Sequence, residues 1–509
     1  MTTGELPGSA PDGKTNSPVT APNTAVARRI QAVRIPERAL ALVIGLLVVL
    51  CLDTEQLTVI PLLNTITTAF SLTPVQSAWV LSATGIAAAA SVPVLSRLAD
   101  LAGMRRMMIF TTLVVVVGNV VCVFAPNFAA LLVGRVIVGF NAGLPIYYAI
   151  LRGRSRTGEE SDRYSGAMTF AIGLAISGSY LLGGAVISLG GNVRTVFLVL
   201  LSLSVLLFAM VWLFVEDIPT RTRVPLDYVG ALLLGAGLTL LVYSIGNANT
   251  WGWGSGKLLS LVTVSVLLLV VWAVWELRYS HPLFDLRVIK RRDVWPAFTI
   301  AGIVAILGIN GALAISNYVQ TPSAAGYGLD ATVLKAGIYL LPCGLTIAFG
   351  GSVVGLVIGR FGQRATSIAG GAVAVIAFLW FSQSSGTSYE FLIFSFMIGA
   401  AYSLSYTAST AAYLRAARPG EQGMLTGAAR AASVAIGALG PPIITSLLTA
   451  SHAPGLPVPA RENYSHVWLF LAGAALVMLV VGLLVREARF DQRAVTGTEW
   501  LDGSTNSQR

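Results

Sequence analysis

The sequence predicts an all-α integral membrane protein with about fourteen transmembrane helices, and three observations predict it. First, 55% of its 509 residues are hydrophobic and only 11% are charged, whereas soluble domains carry about 25% charged residues. Lipid must cover a surface that water could not. Second, long stretches hold no charge at all. Residues 107–134, between Arg106 and Arg135, are one, and 195–215, 258–275, 365–389, 391–414 and 467–485 are others. About 20 apolar residues in a helix cross the ~30 Å hydrocarbon core. Only helices or closed barrels satisfy backbone amides there, and these Val/Leu/Ala runs lack the alternation of barrel strands. Third, Lys and Arg alternate from loop to loop.

Taken in order, the apolar runs and their loop signals place helices at 39–61, 75–98, 104–124, 127–151, 163–188, 195–216, 226–246, 258–278, 294–318, 332–358, 364–382, 389–412, 423–449 and 465–486. Basic residues test this assignment, because they collect on the cytoplasmic side. Loops 2–3, 4–5, 6–7, 8–9, 10–11 and 12–13 together hold 18 Lys and Arg, among them Arg97, Arg105, Arg106, Arg154, Arg223, Lys290, Arg360 and Arg415. The opposite loops hold 3, namely Arg194, Lys257 and Arg461. A missed or invented helix would scramble that alternation. The reading therefore places the chain in the plasma (inner) membrane with both termini cytoplasmic. The net charge of +10 reflects this topology, and nucleic acid is not an expected partner.

Residues 1–38 form a Ser/Thr/Pro/Gly-rich cytoplasmic tail read as disordered, without the early apolar core of a cleavable signal; 487–509 form a second tail. A faint repeat organises what lies between. Asp100, Gly103 and Arg105 after helix 2 recur as Gly359, Gly362 and Arg364 after helix 10, an offset of 259, and Gly166 and Gly427 lie 261 apart. Two six-helix bundles, 39–216 and 294–486, with two helices and their linkers inserted at 217–293, would produce that offset, and such repeats are common in secondary transporters.

Several chemistries are unsupported. Cys51, Cys122 and Cys343 all sit in apolar runs and read as buried hydrophobes. His281, His452 and His466 have no metal-ligand spacing. The stretch Gly254-Ser-Gly256-Lys257-Leu258 glances at a nucleotide loop, but that motif needs Ser or Thr after the Lys. No hydrolase elbow or paired-acid site appears. The expectation is a protein that is not an enzyme and needs no cofactor or metal.

Five segments carry chemistry. The helix 2–3 loop reads Ser96-Arg-Leu-Ala-Asp100-Leu-Ala-Gly103-Met-Arg105-Arg106. Helix 4 holds Arg135 ahead of Gly139 and Gly143, two glycines on one helix face that invite close packing. An intramembrane Arg is costly and expects a partner. Helix 1 supplies acids in Leu52-Asp53-Thr-Glu55-Gln56, followed by Pro61; Asp53 and Gln56 share a face, and Glu55 is turned about 200° from Asp53. Helix 5 carries Ser179-Tyr180-Leu-Leu-Gly183-Gly184, and helix 13 carries Gly440-Pro441.

These segments resemble the major facilitator superfamily. The loop matches its Gly-x-Leu-Ala-Asp-x-x-Gly-Arg-Arg-like signature with Ser96 in place of the first Gly, and Arg135 to Gly143 is similar to its helix 4 motif with Val138 at the usual polar position. Helix 1 is similar to the Leu-Asp-x-Thr…Pro motif of the fourteen-helix drug:proton antiporter subfamily (EmrB/QacA type), with Glu55 and Gln56 at apolar positions. Helix 5 keeps the final glycines of the antiporter Gly-Pro-x-x-Gly-Gly motif and loses Gly-Pro. The resemblance covers roughly 39–486 and implies the major facilitator fold, secondary transport of a small molecule, and a proton gradient as energy source. It implies that Asp100 meets the N-terminus of helix 13, where the helix dipole favours a carboxylate, with Gly103, Arg105 and Arg106 completing a gating loop.

Asp53 is the first proton-coupling candidate and Glu55 the second, with Arg135 as partner, since burial and a neighbouring cation push a carboxyl in opposite directions. Gln56, Asn141, Asn310, Asn317, Tyr402, Tyr406 and Arg430 are candidates for a substrate cavity. The function expected is proton-coupled export of small lipophilic or cationic compounds by a monomer; an importer, an envelope-lipid translocator or a non-transporting scaffold or sensor are the alternatives.

Overall fold

The structure, a computed structural model, describes residues 37–154, 158–216, 226–282, 284–384, 386–416, 422–453, 456 and 458–486. Thirteen helices among them are long and apolar enough to cross a membrane, and a bent pair at the start makes a fourteenth. They are numbered by span. The first, α1, is Glu37–Leu57 continued by Val59–Ala69; then come α2 (Pro74–Ala102), α3 (Met104–Val123), α4 (Phe128–Gly139 and Gly143–Arg154), α5 (Gly158–Ser188), α6 (Val193–Phe214), α7 (Tyr228–Gly246) and α8 (Gly256–Arg278). After the linker, α9 is Trp295–Gln320; α10 and α11 are the arms of Val333–Ser382 on either side of Gly362; α12 is Ser388–Ala416, α13 is Gln422–Ala438 with Gly440–Leu448, and α14 is Arg461–Gly482. The apolar exterior is intact along these spans: Phe110, Leu113 and Val117 of α3 and Leu267, Val270 and Val271 of α8 are exposed. The chain is a multi-pass membrane protein.

Local chemistry sets the ends and the breaks. Thr73 and Gln76 form a reciprocal capping box that starts α2, and Asn127 caps α4 through the amide of Ala130, each supplying acceptors to otherwise orphan amides. The bend of 44° in α1 falls at Thr58, three residues before Pro61, which has no amide to continue the ladder. In place of one straight helix at 39–61, the first span therefore runs on to Ala69. Helix 13, expected to be continuous over 423–449, breaks before Gly440-Pro441-Pro442.

Helix 4 is also interrupted, over 140–142, where the Asn141 side chain accepts a hydrogen bond from the Gly143 amide at 2.9 Å. This corrects the expectation that Gly139 and Gly143 share a face. Gly139 packs on α2, where an added Cβ would lie 2.5 Å from the Thr84 carbonyl. Gly143 instead faces Leu52 of α1 and Met108 of α3.

The repeat noted in the sequence has a geometric counterpart. Gly103 turns α2 into α3 at φ 102°, and Gly362 turns α10 into α11 at φ 84°, a region open to glycine at low cost. The first six spans meet the last six along α5 against α10, α2 against α13 and the end of α1 against α9. The inserted pair lies outside this contact: α7 packs on α2, α13 and α8, and α8 has no other span against it.

Candidate functional site

A buried polar cluster gathers side chains from four of the first six spans and a backbone carbonyl from a fifth. Arg135 in α4 is fully buried, as are Asn119 in α3 and, nearly so, Glu55 in α1 and Ser204 in α6. Its guanidinium donates from Nη1 to the Glu55 backbone carbonyl at 2.7 Å and from Nε to the Val80 carbonyl of α2 at 3.2 Å. Its Nη1 stands 4.0 Å from Glu55 Oε2. Asn119 Nδ2 donates to Glu55 Oε1 at 2.5 Å and lies 3.3 Å from Ser204 Oγ. Among the described residues, Glu55 Oε2, Arg135 Nη2 and Asn119 Oδ1 have no hydrogen-bond partner. A buried charge in lipid needs a partner, and this one has a loose ion pair reinforced by carbonyls.

The acid beside Arg135 is thus Glu55. The side chain of Asp53 lies outside the described residues, so the expected Asp53–Arg135 pair has no counterpart among them. The Glu55 side chain points inward, toward α3 and α4. Asn119 was missed entirely, although it is the one amide in the interior of the uncharged run 107–125, and a buried Asn in lipid demands a hydrogen-bonding neighbour.

The altered helix 5 motif also has a structural replacement. The helix α5 is unbroken through Ser179, whose hydroxyl donates to Thr54 Oγ1 at 3.0 Å while Thr58 Oγ1 donates to the Ser179 carbonyl at 3.0 Å. Gly183 seats Leu62 of α1, and Gly184 seats Leu334 of α10. Small residues let these backbones approach, so α5 links α1 of its own half to α10 of the other.

The helix 2–3 loop is tied to its surroundings. Arg105 donates to the carbonyls of Val215 at 2.6 Å and Trp212 at 2.9 Å, at the end of α6, where cations suit the helix dipole. Arg97 donates to the carbonyls of His281 at 2.7 Å and of Pro282, beyond α8. Arg106 and Asp100 are exposed. Residues 417–421, which lead into α13, lie outside the described residues, and the expected contact of Asp100 with that helix start is not among the described contacts.

The cavity candidates separate. Asn310 is fully buried, donates to the Ile306 carbonyl at 2.9 Å and fills the notch left by Gly440, where any Cβ would overlap its amide. It is a packing residue between α9 and the break of α13. Asn141 is the cap described above. Tyr402 and Tyr406 stack at 5.4 Å, with Tyr402 against Gly308; Gln56, Asn317 and Arg430 are half-buried. No candidate lines the cavity of about 1110 Å³ that opens between α2, α4, α7 and α13. No cluster of potential metal ligands occurs among the described residues.

The two halves close on each other at one end. Ser316 and Gln320 of α9 donate to the carbonyls of Ile60 and Pro61 in α1, at 3.5 and 3.0 Å. Near the same end, Gly337 seats the Tyr180 carbonyl and Gly344 the Ser177 backbone.

Two helical halves packed together, the first with a buried charge pair inside it, have the architecture of a membrane transporter. Residues 45–441 match the model of the Major Facilitator Superfamily, and the chain belongs to that family. It is similar to a multidrug resistance protein B homolog of Mycobacterium tuberculosis, 28% identical over 59% of this chain and 55% of the relative. It is similar also to the fatty acid resistance protein FarB of Neisseria gonorrhoeae, 26% identical over 57% of this chain and 55% of that protein. The chain thus spans a little over half the length of these curated relatives. Among solved structures, an auto-inhibited peptide transporter of the POT family aligns at a TM-score of 0.61 with 14% identity, over 88% of this chain and 97% of that one; it shares the fold.

Proposed function

We propose that this chain exports small lipophilic or cationic compounds from the cell in exchange for protons, seated in the plasma membrane with both termini cytoplasmic. The observation that carries the reading is the Glu55–Arg135–Asn119 cluster. Its carboxylate keeps one oxygen unpartnered beside a cation 4.0 Å away, an arrangement poorly suited to static bracing. Leaving such buried atoms unpaired costs about 1–3 kcal/mol each. A proton on Glu55 Oε2 would neutralise the acid and weaken its hold on Arg135, which also grips α1 and α2 through their carbonyls. Proton binding and helix position then bias one two-state equilibrium.

Further support comes from the relatives named for multidrug and fatty acid resistance. In the proposed topology the end closed by the Ser316–Ile60 and Gln320–Pro61 contacts is the non-cytoplasmic one. The test is flux of a lipophilic cation in proteoliposomes under an imposed pH gradient. Uphill movement opposite to the proton supports the proposal. Movement with the proton assigns import, and flux indifferent to the gradient removes proton coupling.

A further inference from the structure

The inserted helices create a site that lies away from the polar cluster. Helix α7 packs on α2 and α13, and α4 packs on α2 from the other side, yet among the described residues α4 and α7 are not closely packed on each other. Between them runs the cavity of about 1110 Å³, with α2 as its floor. The floor stays low because Ala83, Ala87 and Ala90 present only methyl groups, and Gly235 thins the α7 wall. Leu132, Val136 and Phe140 of α4 form the facing wall.

The polar lining is concentrated at one end, with Thr239 of α7 further in. Thr73, Gln76, Asn247, Thr250 and Thr449 gather at the loop end, and no charged side chain lines the cavity. That end coincides with an aromatic belt. Tyr243 and Trp251 meet edge to face at 5.5 Å, and exposed Trp253 donates to Asn249 at 2.9 Å. Trp and Tyr concentrate where hydrocarbon gives way to headgroups. From Trp79 to Ala90 the floor of α2 runs about 17 Å at 1.5 Å per residue, close to half of a ~30 Å hydrocarbon core. A slot one leaflet deep, mostly apolar along its length and hydrogen-bonding at the headgroup level, has the dimensions and polarity of a lipid.

We infer that this groove binds an acyl chain of a bilayer phospholipid, with the headgroup and ester region hydrogen-bonded at the Gln76–Asn247–Thr449 rim. Recognition is by shape and by neutral donors and acceptors, because the lining lacks charge. The bound chain fills the gap between α4 and α7. It also touches both halves, since Thr445 and Thr449 come from α13 and the remaining walls from α2, α4 and α7.

The experiment uses the full chain in phosphatidylcholine nanodiscs doped with a phosphatidylcholine that carries a photoactivatable diazirine on its acyl chain. Adducts are mapped by peptide mass spectrometry. Labelling of α4 around Leu132 and Val136 and of α7 around Gly235 is expected to exceed, several-fold, labelling of the exposed α8 face at Leu267 and Val271. Val136→Trp and, separately, Leu132→Trp, each checked for unchanged gel-filtration behaviour, are expected to remove the groove adducts and leave the α8 adducts. Equal labelling of groove and α8 would mean only the ordinary lipid shell and would overturn the inference. So would displacement of the groove adducts by tetraphenylphosphonium, which would make the slot a path for transported cations.

Discussion

Asn119 of α3 donates a hydrogen bond of 2.5 Å to Glu55 of α1, while Arg135 of α4 holds the backbone carbonyl of that same glutamate at 2.7 Å. The acid is therefore fixed by two neighbours that use different parts of it. Its backbone is anchored to a permanent cation, and its carboxyl is shared between an amide and a more distant charge. Protonation changes the second relationship without releasing the first.

Glu55→Gln keeps the shape of the side chain and can still meet Asn119, but it cannot exchange a proton. Gradient-driven accumulation in sealed vesicles is expected to vanish, while substrate exchange at equal pH persists. Asp53→Asn, measured alongside, tests the acid favoured by sequence resemblance. Uphill transport that survives in Glu55→Gln and fails in Asp53→Asn would return the coupling role to Asp53.

Ser179 substitutes hydrogen bonds for the missing Gly-Pro. Ser179→Ala removes the hydroxyl that Thr54 and, within α5, the Ala175 carbonyl share, and leaves the carbonyl that Thr58 uses, so the loss between helices is expected to be about 1 kcal/mol, the usual range for such bonds. Thermal unfolding in detergent would show a small decrease in Tm. A decrease as large as that of a core cavity would mean that the hydroxyl braces more than these contacts.

Gly440 and Asn310 form a lock whose two parts can be changed separately. Gly440→Ala drives a methyl into the Asn310 amide, an overpacking expected to cost about 1–3 kcal/mol. Asn310→Ala vacates that space, so the double variant should recover stability relative to Gly440→Ala alone. Additive losses in the double-mutant cycle would show that the two residues do not interact.

Gly103 and Gly362 hold equivalent turns at positive φ. Alanine at either is expected to cost about 1–3 kcal/mol of backbone strain, visible as reduced thermal stability of comparable size in the two variants. A neutral Gly362→Ala would indicate that the turn between α10 and α11 relaxes to another conformation.

Topology rests on charge, and reporter fusions check it. With 18 Lys and Arg in one set of loops against 3 in the other, fusions at the two termini are expected to report the same, cytoplasmic side. Opposite sides would require an odd number of crossings.

Much of this protein was determined by sequence alone, because lipid imposes one-dimensional rules. The number of spans follows from length and apolarity, and the turn glycines 103 and 362 from a repeat whose spacing the chain had to preserve. The identity of Arg135 as a buried charge was equally legible, since 28 uncharged residues precede it. What pairs with it was not. Glu55 and Asp53 lie two residues apart on a helix, and which of them faces Arg135 depends on how α1 is rotated against α3 and α4. Breaks had the same character: Asn141 caps an interruption of α4, and Asn310 occupies the notch at Gly440, although both read as polar cavity residues. Only the tertiary structure decided these points, because a buried polar side chain takes its role from the partner that packing brings to it, and that partner is distant in sequence.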